Sequence, residues 1–201
     1  MRSSTERRFV AGPAGRIECA VDSPAGSPAV KPKGAALIAH PHPLFGGTLD
    51  NKVVQTLARS FVELGYEAWR PNFRGVGRSE GKHDEGRGEV EDLLEITRHL
   101  GAGKIVLAGF SFGAAMQALL AQRVKAERLV LVGLAVVNFK IPDVPANTLL
   151  IHGEQDETIP LSAVLDWARP QDLPVVVVPG ADHFFHRKLQ PLRTIVESYW
   201  K

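Results

Sequence analysis

Residues Gly109-Phe110-Ser111-Phe112-Gly113 constrain this chain more tightly than any other stretch. They stand between an apolar run of strand character, Lys104–Ala108, and a run of helix formers, Ala114–Leu120. A serine that passes from strand to helix in so few residues occupies a sharp, strained turn that lifts its hydroxyl off the sheet. Glycines two before and two after the serine suit such a turn, because strand and helix pass too close there for a Cβ. The pentapeptide therefore reads as a nucleophile elbow, with Ser111 at the carboxyl end of a strand.

Around it, short β-rich runs alternate with helical patterns, which is the signature of α/β layers. Strands are predicted over Gly15–Val21, Ala35–Ala39, Tyr66–Arg70, Lys104–Ala108, Arg128–Val132, Thr148–His152 and Pro174–Val178. The run Val175-Val176-Val177-Val178 is continuously apolar, as in parallel strands covered on both faces. Helices are predicted over Lys52–Leu64, Gly88–Leu100, Phe112–Arg123, Leu161–Ala168 and Leu189–Trp200. In the first, Val53, Val54, Leu57, Phe61 and Leu64 recur at helical spacing and make one apolar face. Asp22–Lys33, with three prolines, reads as a surface connection between early antiparallel strands. Arg74–Gly88 reads as a rim loop rich in Gly and charge, with Lys82–Glu85 on a solvated surface. About fifteen residues join Val132 to Thr148, too few for an inserted lid domain, so an open and shallow site is expected. The expectation is one domain over residues 1–201.

Charge limits the classes of partner. A formal net charge of +2, with bases and acids interleaved, argues against nucleic acid or an anionic membrane as the main partner. Arg7-Arg8 is followed by residues too polar and broken for an export signal, and no apolar run reaches membrane-span length. A cytoplasmic, soluble protein is expected. The single cysteine, Cys19, excludes an internal disulfide and is expected to be a small buried residue of a strand.

A serine hydroxyl is a poor nucleophile at neutral pH and needs a base that is itself oriented by a third group. The candidate base is His183, just past the last predicted strand, with His186 as its local competitor. The candidate orienting acid is Asp156, just past the preceding strand, with Glu154, Glu157 and Asp182 as competitors. Both lie at carboxyl ends of strands, where open parallel sheets place their ligands. The chain order Ser111, Asp156, His183 is the one that accompanies a nucleophile elbow. Acyl transfer also needs preorganised N–H donors for the oxyanion. One is expected from Phe112, immediately after the serine. The other is expected from His40-Pro-His-Pro-Leu-Phe-Gly-Gly47, where Pro41 and Pro43 have no N–H. His42 is favoured by its distance from the strand end, with Leu44 as the alternative. The pair His40 and His42 invites a metal reading, but a third ligand is lacking and the Ser-Asp-His set would go unexplained. No metal and no cofactor are expected, and His40 is read as a buried hydrogen-bonding residue that shapes the loop. Arg74 and Arg78 are candidates for substrate contact, with a structural role preferred for either.

Taken together, these stretches resemble the α/β-hydrolase superfamily over nearly the full length. The resemblance rests on His40–Gly47 with Asp50-Asn51-Lys52, on Asn72-Phe-Arg-Gly-Val-Gly-Arg-Ser79, on the elbow at Ser111, on His152–Asp156 and on Ala181-Asp-His183. The chain looks most like the small lidless bacterial serine esterases and dienelactone-hydrolase-like proteins. That similarity implies a mostly parallel sheet of about eight strands with helices on both faces and no cap domain. It also implies Ser111 as nucleophile, His183 as general base and then acid, and Asp156 as the orienting carboxylate. Two departures stand out. Most members carry His-Gly where this chain has His40-Pro41, and dienelactone hydrolases proper use a cysteine nucleophile where this chain has Ser111. The expected activity is hydrolysis of small or medium acyl esters. A thioesterase, a peptidase or an acyltransferase would use the same residues, and an idle binding module is the reading from another class. The expected partner is a small-molecule ester or thioester, and the oligomeric state is open.

Overall fold

A computed structural model describes residues 4–24, 31–101 and 103–200. Eight strands form one sheet: β1 (Ser4–Gly12), β2 (Gly15–Ser23), β3 (Ala35–Ala39), β4 (Glu67–Pro71), β5 (Ile105–Phe110), β6 (Arg128–Val132), β7 (Leu149–Gly153) and β8 (Val175–Val178). Their order across the sheet is β1-β2-β4-β3-β5-β6-β7-β8. The β1/β2 and β2/β4 pairs are antiparallel and every other pair is parallel. The connecting helices are α1 (Lys52–Glu63), α2 (Arg87–Leu100), α3 (Phe112–Leu120), α4 (Leu161–Ala168) and α5 (Leu189–Ser198).

The strands of the middle of the sheet alternate between its two faces. Leu37, Leu107, Leu129, Leu131 and Leu150 pack with Leu93 of α2, Met116 of α3 and Val164 of α4. Their neighbours Ile38, Val106, Val130, Val132 and Ile151 pack with Leu57 and Phe61 of α1 and with Leu192 and Val196 of α5. Both faces are thus dry, which is why these strands read as unbroken apolar runs. Helix α1 starts where Asn51 Oδ1 accepts the N–H of Val53 at 2.9 Å, a cap worth about 1 kcal/mol. Burial of Val53, Val54, Leu57 and Phe61, all at most 1% exposed, adds on the order of 1.5–3 kcal/mol each.

Strand β1 lies outside the sequence expectation. It pairs with β2 along its whole length, from Ser4 opposite Ser23 to Gly12 opposite Gly15. As an edge strand it carries charge, with Glu6 and Arg8 paired to each other at 2.8 Å, and this hides it from a search for apolar alternation. The predicted connection Asp22–Lys33 is shorter than expected, because Asp22 and Ser23 continue β2; residues 25–30 lie outside the described residues.

The sheet reverses its strand order between β3 and β5. From β3 the chain crosses to β4 on one side and later to β5 on the other, so the order reverses there, and open α/β sheets place ligands at the strands' carboxyl ends beside such a reversal. Ala39 at the end of β3 pairs with Gly109 at the end of β5, which brings the His40 loop and the Ser111 turn together. Between Val132 and Leu149 there is no helix or strand, so this connection inserts no lid domain. No helix among the described residues is long and apolar enough to cross a membrane.

Candidate active site

Ser111 sits between β5 and α3 with φ 56° and ψ −116°, a left-handed conformation that a serine adopts only under constraint. The constraint is visible in its neighbours. A Cβ at Gly109 would lie 2.4 Å from the carbonyl of Gly113, so strand and helix do cross within a glycine's width. A Cβ at Gly113 would meet something else: the carbonyl oxygens of Ala39 at 2.2 Å and His40 at 2.5 Å. The second glycine is therefore needed to seat α3 against the end of β3. The Ser111 N–H donates to the Val132 carbonyl at 2.9 Å, which pins the turn to β6.

Three of the side chains singled out in the sequence form one hydrogen-bonded series. His183 Nε2 is 3.0 Å from Ser111 Oγ, and His183 Nδ1 is 2.6 Å from Asp156 Oδ2. A carboxylate only accepts, so Nδ1 donates to Asp156 and Nε2 is left to accept the serine hydroxyl. Asp156 is 5% exposed, and its other oxygen accepts the N–H groups of Thr158 at 2.9 Å and Ile159 at 2.7 Å. The loops bearing Asp156 and His183 are laced together by Glu154 N–H to Val178 O at 3.1 Å and Gln155 N–H to Ala181 O at 2.8 Å.

The competitors are engaged elsewhere. Glu154 accepts from the Gly180 N–H at 2.8 Å, and Asp182 pairs with the exposed His186 at 2.6 Å. Glu157 points to solvent. Behind Asp156, buried His152 donates from Nε2 to the Ile159 carbonyl at 2.8 Å and lies 3.4 Å from Asp156 Oδ2. Burial, above all, holds the His152 imidazole below the usual histidine range.

The His40 loop is built around its two histidines. His40 is fully buried, with Nδ1 2.6 Å from the Pro41 carbonyl and Nε2 accepting the Phe73 N–H at 3.0 Å. Both ring nitrogens are occupied by the backbone, which leaves neither for a metal ion. Burial pushes its imidazole down to about 4, and the Pro41 carbonyl opposes this only in part. The Leu44 N–H is taken by the His42 ring, at 3.2 Å from Nδ1. The His42 N–H has no hydrogen-bond partner among the described residues. The Phe112 N–H belongs to the first residue of α3 and has no acceptor within the helix.

His83 was not distinguishable in the sequence. The expected solvated surface at Lys82–Glu85 holds for the side chains of Lys82, Asp84 and Glu85 but not for His83, whose side chain is only 14% exposed. Its ring lies 5.0 Å from the His42 ring and 5.8 Å from Phe112, and its Nδ1 is 2.8 Å from the buried Glu89 carboxylate. Glu89 also accepts the N–H groups of Asp84 and Gly86 at 2.9 Å, ordering the turn into α2. Gly86 followed by Glu89 is a helix-start signal that marks this turn in the sequence, but nothing local shows that it faces His42. His42 is thereby clamped among Phe45, His83 and Phe112, with ring distances of 4.8, 5.0 and 4.9 Å. Burial and the neighbouring His83 both hold the His42 ring below its usual range.

Arg74 has the structural role preferred from the sequence. Its guanidinium forks onto buried Asp92 at 2.8 Å through two nitrogens and reaches the Gly88 carbonyl at 2.7 Å, tying the rim loop to α2. Arg78 covers the Phe9 ring at 4.7 Å on the β1 edge. Cys19 is fully buried in β2, and burial pushes its thiol up to about 12.

Comparison with known proteins agrees with this fold. Residues 42–138 match the model of the α/β-hydrolase fold. The chain is 33% identical to an uncharacterised protein of Rickettsia prowazekii, over 94% of this chain and 85% of that one. Among solved structures it is similar to a Xanthomonas campestris α/β serine hydrolase without a lid, with a TM-score of 0.90 and 34% identity over 99% of this chain and 94% of that one. It is also similar to an α/β serine hydrolase homologue from Coxiella burnetii, with a TM-score of 0.87 and 39% identity over 98% of this chain and 97% of that one. With sheet order, elbow and relatives in agreement over nearly the whole length, the chain belongs to the α/β-hydrolase superfamily.

Proposed function

We propose that this hydrolase cleaves carboxylic esters of small or medium acyl groups through an acyl-enzyme on Ser111. The observation that carries the reading is the Ser111–His183–Asp156 series at 3.0 and 2.6 Å. As Ser111 Oγ attacks the ester carbonyl carbon, its proton passes to His183 Nε2, and Asp156 holds the ring and stabilises the imidazolium. The carbonyl oxygen becomes an oxyanion beside the N–H groups of Phe112 and His42. The backbone at His42 is the stronger second donor because Leu44 is already bonded to the His42 ring. Each such donor is worth about 100- to 1000-fold in turnover. Collapse breaks the bond to the alcohol oxygen, which takes the proton from His183. Water, activated by His183, then releases the acid and frees Ser111.

The test is turnover of a graded series of nitrophenyl esters by the protein and by Asp156→Asn. The substitution keeps the shape of the site but turns His183 to the wrong tautomer, so kcat is expected to fall on the order of 10,000-fold. Hydrolysis by Asp156→Asn within a few-fold of the parent protein would overturn the assignment.

A further inference from the structure

A cleft of about 260 Å³ runs between the N-terminus of α1 and the segment that follows His183, with Lys52, Val53, Phe184, His186 and Arg187 in its lining. It is smaller than the roughly 300–1,000 Å³ that holds a whole small ligand, and so suits one half of an ester. Its wall nearest the chemistry is Phe184, a large apolar ring left 47% exposed. That ring stands edge-to-face on His183, 5.2 Å between centroids, and 6.0 Å from Phe110. Phe184 is therefore not packed away. It is an apolar surface held beside the group that must protonate the departing oxygen.

The same lining carries charge. Lys52 and Arg187 are exposed, and neither is paired with a carboxylate among the described residues. The nearby acids have other partners: Asp50 faces Arg7 at 3.4 Å and Arg70 at 3.6 Å, and Asp182 bonds to His186 of the same lining at 2.6 Å. The lining thus joins an apolar ring beside the base to two cations that have no carboxylate partner among the described residues.

Resting on the serine-hydrolase reading above, we propose that this cleft is the leaving-group subsite, and that it takes an alcohol with an apolar body and an anionic group, carboxylate or phosphate, at its far end. The base returns its proton to the alcohol oxygen, so that oxygen must come within hydrogen-bond reach of His183 Nε2. From there the apolar body lies along Phe184, and the anion reaches Lys52 and Arg187. In the step itself the bond from the acyl carbon to the alcohol oxygen breaks, the oxygen gains the His183 proton, and the acyl group stays on Ser111. The anionic end takes no part in bond-making.

The test compares four acetates of one acyl group: 3-acetoxybenzoate, 3-acetoxyphenyl phosphate, phenyl acetate and methyl 3-acetoxybenzoate. The protein is expected to favour at least one anionic ester over both neutral ones, by roughly three- to ten-fold in kcat/KM at low salt, and this ratio is expected to shrink as salt is added. Which anion is favoured separates a carboxylate from a phosphate partner. The double variant Lys52→Ala/Arg187→Ala is expected to bring the ratio near one, and labelling of Ser111 by a fluorophosphonate checks that it is folded. Equal or greater turnover of the neutral esters, or a preference that survives the double variant, would overturn the proposal and leave the serine-hydrolase reading intact. No turnover of any of the four with no labelling of the parent protein would overturn that reading, and this proposal with it.

Discussion

The most quantitative consequence of the site concerns His40, which touches no reacting atom. Its Nε2 accepts the Phe73 N–H and its Nδ1–H donates to the Pro41 carbonyl, so the folded protein holds the ring neutral in a single tautomer. Protonation would turn Nε2 into a donor facing a donor, inside a fully buried site. The folded value is about 4 against 6.5 for a free imidazole. The unfolded chain therefore binds the extra proton between these limits. Stability is fully present above pH 6.5 and falls as pH is lowered toward 4. Linkage gives a loss of about 2 kcal/mol between pH 7 and pH 5 from this one group. His40→Gln keeps an acceptor for the Phe73 N–H but cannot titrate. Urea unfolding followed by tryptophan fluorescence reads the difference, about a 1 M shift in midpoint for a slope near 2 kcal/mol/M. The parent protein should lose about 2 kcal/mol more than His40→Gln over this pH interval. Equal losses in the two proteins would refute the buried neutral histidine as the anchor of the loop.

Two further perturbations follow from the same packing. Gly113→Ala places a methyl group 2.2 Å from the Ala39 carbonyl oxygen, where only backbone can give way. The helix N-terminus must then shift off the end of β3, and thermal melts should show a loss of about 1–3 kcal/mol together with a fall in ester turnover of more than about ten-fold. Arg74→Ala strands the Asp92 carboxylate, whose side chain is 3% exposed and whose burial already raises its pKa. Chemical denaturation should report a loss of about 3–5 kcal/mol, much of it recovered by Arg74→Met/Asp92→Leu.

What the sequence made legible depended on how local the signal was. The elbow was legible because strand, serine, glycines and helix occupy consecutive residues, and α1 because its apolar residues recur within a few turns. Strand β1 was not, since its charged edge carries no apolar alternation and only its pairing with β2 defines it. The preference for His42 over Leu44 comes from distance to the strand end, but the engagement of the Leu44 N–H was not legible. It depends on the His42 ring folding back onto the Leu44 N–H, a contact of one loop conformation. His83 was hidden for a related reason: it is distant in sequence from His42 and Phe112 and meets them only because α2 begins beside α3. The need for Gly113 was legible, though the atoms it spares belong to the end of β3.

The central claim is that Ser111 is the nucleophile, and covalent capture tests it most directly. A fluorophosphonate probe, followed by digestion and mass spectrometry, should place one phosphonyl adduct on the peptide bearing Ser111, with loss of ester turnover in step with labelling. Ser111→Ala should remain folded, take up no probe and hydrolyse no ester above background. Labelling at another residue, or ester turnover by Ser111→Ala close to that of the parent protein, would contradict the account.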